Sequence, residues 1–154
     1  MREANAAQMR SVADSVRQAN PDVKIVAMGD FNDDPTDESV LEVLGAKGDV
    51  DDLDDEDLFN PYYKMLKMGY GTLAYGDVWN LFDNIVVSEN LVDGDGLQLL
   101  KSPTNKRVYG NIFKAPYLIQ KEGKYRGYPF RSFSSGNFQG GYSDHLPVYI
   151  YLGK

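Results

Sequence analysis

The chain has no cysteine in 154 residues, which excludes a disulfide framework, a thiolate metal site and a cysteine nucleophile. No stretch reaches the roughly eighteen apolar residues that cross a bilayer. The N-terminus, MREANAAQMR, lacks the apolar core of a secretion signal. A soluble chain is expected, in a compartment that the sequence leaves open. Basic residues are scarce in one half: Asp30 to Asp57 holds thirteen acidic side chains and a single lysine. Acids are scarce in the other, where Lys101 to Arg131 holds eight basic side chains against Glu122 alone. The net charge of -7 argues against broad duplex binding, which needs a continuous basic footprint, while the basic half could attract one phosphorylated ligand.

What is present suffices for one domain. At 42% hydrophobic and 12% aromatic, the chain can bury one core. Ala6, Met9, Ala13 and Val16 recur at spacings of three and four, predicting a helix over Arg2 to Ala19 that Pro21 ends. VKIVAM, Val23 to Met28, is short and β-branched, and predicts an interior strand stopping at Gly29. Asp34 has the character of an N-cap, with Pro35 at the first helical position, Val40, Leu41 and Leu44 as the apolar face and Gly45 as the stop. The run DVDDLDDED, seven acids in nine positions, predicts a solvated loop, since the glycine and ligand spacing of a calcium loop are absent. A further helix is expected over Asp55 to Met68. TLAY, VWNLF, NIVVS and LQLLK predict short strands, and PVYIYL a closing strand that starts at Pro147. Lys101 to Gly141 shows no clear period and predicts a long, partly ordered excursion, a length often put to functional use.

Polar side chains gather at the strand ends. Asp30 and Asn32 follow the first strand, Asp83 precedes NIVVS, and Asp144 and His145 precede PVYIYL. Taken singly, each has an ordinary explanation: turn and cap residues in GDFNDD, a turn residue at Asp83, a surface or satisfied core group at His145. For all of them to meet at one rim, the first and last of these strands should run antiparallel.

Taken together, GDFNDDP, FDNIVVS and GGYSDHLPVYIYL, in that order, resemble signature segments of the endonuclease/exonuclease/phosphatase superfamily, the deoxyribonuclease-I-like metallo-phosphoesterases. KYRGYPFRSF adds a likeness to one bacterial branch. The resemblance implies an α+β fold, with residues 1–154 as the C-terminal portion of one domain. This is half of a four-layer α/β/β/α sandwich, a mainly antiparallel or mixed sheet with flanking helices.

The chemistry implied is metal-dependent phosphoester hydrolysis of phosphodiesterase, phosphatase or nuclease type. Asp30 would orient or deprotonate water, Asn32 would donate to a phosphoryl oxygen, and His145 would bind the phosphate or stabilise the transition state. Asp83 would hold the other ring nitrogen of His145, and Asp144 would support Mg²⁺ or Mn²⁺. The substrates implied are a phosphorylated small molecule, a lipid head group or nucleic acid. Family members also carry an upstream metal-binding Glu and two further strand motifs, with no counterpart in this sequence. Their absence predicts a catalytically incomplete piece whose exposed sheet face would be covered by a second copy or by a separately supplied first half. The alternative is a non-catalytic binding module that keeps the fold and uses the basic aromatic segment 107–142 as its contact surface.

Overall fold

The computed structural model describes all 154 residues, an α+β chain built around one four-stranded sheet. Helix α1 spans Arg2–Ala19, followed by β1 at Val26–Asp30, β2 at Ala46–Lys47, β3 at Leu58–Phe59 and α2 at Tyr63–Lys67. A hairpin follows, β4 at Leu73–Tyr75 and β5 at Val78–Asn80, leading into β6 at Asp83–Ser88. Then come β7 at Gln98–Leu100, β8 at Asn111–Ile112, the small hairpin β9–β10 at Phe133–Ser134 and Asn137–Phe138, and β11 and β12 at Val148–Tyr149 and Tyr151–Gly153. The main sheet has the order β1-β6-β3-β2, antiparallel except for the parallel pair β2–β3.

Strand β6 is the spine because its side chains alternate between two cores. Ile85 and Val87 enter a cluster with Phe59, Tyr62, Met65, Leu81 and Leu99, whereas Val86 faces Val40, Leu44, Ala46 and Leu58. Fully burying each such valine contributes about 1.5–3 kcal/mol. Ala6 and Met9 of α1 pack on the second cluster.

Several expectations are corrected. β1 is an edge strand with β6 as its one partner, and it is largely exposed rather than interior. Val26 and Met28 lie opposite Val87 and Ile85, on the face that buries those two side chains, yet remain 37% and 64% exposed. On α1 the buried stripe ends at Arg17, and Val16 is exposed. Both positions suit the helical period, and Arg17 takes the inner one because its guanidinium meets the Glu56 and Asp57 carbonyls and the Glu89 carboxylate, the last at 2.6 Å.

The helix expected over Asp55 to Met68 is only the five residues of α2, since Leu58 and Phe59 are drawn into the sheet beside β6. After Asp34 the chain makes a turn and then a π-helical turn at Ser39–Val43, which Gly45 (φ +71°) ends. The last strand pairs with neither β1 nor β6. It breaks at Ile150, so that β11 pairs with β8 and β12 with β7. The antiparallel partner of β1 is β6.

Candidate active site at the β1–β6 rim

Antiparallel pairing in full register sets Asp30, the last residue of β1, directly opposite Asp83, the first of β6. Such partners lie about 4.5–5.5 Å apart at Cα, with side chains on the same face. His145 arrives from the C-terminal segment, and its Nδ1 lies 2.8 Å from Asp83 Oδ2, both side chains half-buried. The segment is anchored one residue later, where buried Leu146 donates its N–H to the Thr72 carbonyl at 2.8 Å. A carboxylate against Nδ1 selects the Nδ1–H tautomer and leaves Nε2 with no partner within the protein.

The loop after β1 is held from three sides. Phe31 donates its N–H to the Phe82 carbonyl at 2.8 Å. The Asp34 carboxylate accepts the Leu81 N–H at 2.6 Å. From α1, Arg2 donates to the Asn32 carbonyl at 2.8 Å and pairs with Asp33 at 2.9 Å. Asp33 is buried and also accepts the Ser39 hydroxyl at 2.5 Å. Within the loop, Asp30 Oδ1 accepts the Asn32 N–H at 2.9 Å, and Asn32 takes a left-handed φ of +54°, a conformation that asparagine tolerates better than most residues. Asp34 is therefore a brace to the β5–β6 junction and not a helix cap. Burial raises its carboxyl pKa above the usual 3.8, the Leu81 N–H opposes that rise, and the neighbouring charges of Asp37 and Asp33 add to it.

Asp30, Asn32, Asp83 and His145 thus belong to two strand ends and two loops joined by backbone and side-chain hydrogen bonds. Asp144 is exposed and makes no hydrogen bond or ion pair through its side chain. No group of three or more His, Asp or Glu side chains is placed to hold a metal ion. Sequence reasoning missed the Arg2–Asp33–Ser39 brace. Asp33 stood within the quoted motif, but no spacing rule connects it to a residue thirty-one positions earlier.

The profile of the Endonuclease/Exonuclease/phosphatase family matches residues 1–154. The chain belongs to the endonuclease/exonuclease/phosphatase family. No curated protein and no solved structure matches it. The family comprises phosphoester hydrolases whose members generally use divalent metals. In this family member the carboxylates present do not make a metal-ligand set. Asp83 is committed to His145, Asp30 to the Asn32 N–H, and Asp144 stands apart from a third ligand. No helix is long and apolar enough to cross a membrane.

Proposed function

We propose that the β1–β6 rim is the phosphate-handling end of a phosphoester hydrolase, and that His145 is its central group. The carrying observation is the 2.8 Å Asp83–His145 contact across sixty-two residues, formed beside Asp30. Phosphoryl transfer asks for an oriented water and for hydrogen bonds to oxygens on which charge develops. His145 Nε2, protonated, donates to a phosphoryl oxygen, and Asp83 stabilises the resulting imidazolium. The exposed Asn32 side-chain amide supplies a second donor, and the Asp30 carboxylate accepts a proton of the attacking water. The residues present assemble no divalent-ion site, so no step is assigned to one, and Asp144 is the exposed carboxylate next to His145 in the chain. The substrate class proposed is a phosphorylated small molecule in preference to duplex nucleic acid, given the net charge of -7.

The test is phosphate binding measured by calorimetry in every variant and, in the parent chain, at the single His145 ring by NMR, together with hydrolysis of p-nitrophenyl phosphate and its bis-ester in Mg²⁺ or Mn²⁺. Binding should be lost in His145→Ala, and any turnover lost in both His145→Ala and Asp30→Ala. Turnover unaffected by either substitution overturns the assignment. Binding without turnover selects the second reading, a binding module. That reading draws on the exposed aromatic row Phe113, Tyr117 and Tyr142, whose successive ring centroids are 6.5 and 5.4 Å apart.

A further inference from the structure

A cleft of about 350 Å³, within the range of small-molecule sites, opens between the β4–β5 hairpin and the residues around β8. Both walls are tied to the segment carrying His145. On one wall, Gly71 and Trp79 flank a hairpin in which Thr72 donates its N–H to the Asn80 carbonyl at 2.8 Å and accepts the Leu146 N–H at 2.8 Å. On the other, Ile112 and Lys114 flank Phe113, which donates its N–H to the Pro147 carbonyl at 2.7 Å.

The lining chemistry is selective. In a chain with twenty-three acidic residues, none of the fourteen lining residues is Asp or Glu, and Lys114 is the one charged side chain among them. Its ammonium makes no ion pair and sits 4.8 Å over the Trp79 ring. Thr104 and Asn105 add a hydroxyl and an amide at the surface. Ser102 and Asn111, bonded to each other at 2.6 Å, form the buried polar support. A cationic head group would find no carboxylate here, and the indole face that attracts cations already carries Lys114. An anion on a hydroxylated ring finds an unpaired ammonium together with neutral donors.

We propose that this cleft holds the non-reacting part of the substrate, and that this part is a sugar or polyol bearing a second phosphate, seated on Lys114. The inference rests on the reading of the His145 rim as the site of the scissile phosphate. Trp79 is the only tryptophan in the chain, so its emission reports on the cleft directly. The experiment compares glucose 1,6-bisphosphate, glucose 6-phosphate and phosphocholine by calorimetry and Trp79 fluorescence, in the parent chain, Lys114→Gln and His145→Ala. The bisphosphate should bind about tenfold tighter than the monophosphate, as expected for one added charge-assisted contact. Its binding should shift Trp79 emission, and Lys114→Gln should reduce the preference to less than about twofold. His145→Ala should weaken both sugar phosphates by the same factor. The proposal is overturned by a preference that survives Lys114→Gln, by binding with silent Trp79 emission, by phosphocholine binding as tightly as the bisphosphate, or by no bisphosphate binding. Failure of the rim reading shows separately, as a Lys114-dependent preference on which His145→Ala has no effect.

Discussion

Asp34 accepts the Leu81 N–H while half-buried between Asp33 and Asp37, so its charge and its hydrogen bond act in opposite directions. Because its folded pKa is raised, the folded chain keeps the Asp34 proton to a higher pH than the unfolded chain does. Stability from this group is complete below about 3.8, the unfolded value, and declines as pH rises through the folded one. Asp34→Asn keeps an acceptor and carries no charge. It should therefore unfold at higher urea than the parent at pH 7, with the advantage vanishing near pH 3. Asp34→Ala should lose about 1–2 kcal/mol at both pH values, since the buried Leu81 N–H is left without an acceptor. At Asp83 the expected change is in proton location. Asp83→Asn should redistribute the His145 tautomers, visible in the ¹⁵N shifts of the only imidazole in the chain, and lower phosphate affinity while the melting temperature moves little.

At the scale of elements, Arg17 joins three segments distant in sequence: α1, the approach to β3, and the residues after β6. Removing it strands the Glu89 carboxylate and the Glu56 carbonyl, while the Asp57 carbonyl keeps the Glu89 N–H, so Arg17→Ala should destabilise by about 3 kcal/mol in thermal or urea melts. Arg17→Lys should recover only part of this, because an ammonium cannot reproduce the guanidinium fork. Arg17 also shows where sequence legibility stops. The helical period was readable from Ala6, Met9 and Ala13, but choosing between Val16 and Arg17 for the inner position required partners from residues 56 and 89. β6 was legible because Ile85, Val86 and Val87, at the centre of NIVVS, are consecutive apolar β-branched residues. VKIVAM is also apolar and β-branched, yet the edge position of β1 depends on what pairs beside it. The meeting of Asp83 with His145, beside Asp30, was legible through motif order, whereas the Arg2 and Asp34 braces depend on tertiary contacts that no local pattern encodes.

For the whole molecule, the consequence lies in the face shared by β1 and β6. Val26 and Met28 continue the apolar surface formed by Ile85 and Val87 without cover, and β1 offers an unpaired backbone edge beside them. The chain should therefore self-associate at micromolar concentration in sedimentation, and Met28→Lys should shift it toward monomer while leaving the melting temperature nearly unchanged. A monomeric parent chain would count against this role for the face.

The β1–β6 register has one more consequence, which concerns selection. Asp30 and Asp83 are like charges set directly opposite each other on an antiparallel ladder, an arrangement that costs stability. Asp83 has His145 to answer its charge, whereas Asp30 has only the Asn32 N–H. If Asp30 works on water as proposed, the fold is held below its attainable stability by a group retained for function. Asp30→Asn should then raise the melting temperature while abolishing any turnover. A screen of this chain for thermal resistance alone would be expected to select away the residue on which its chemistry depends.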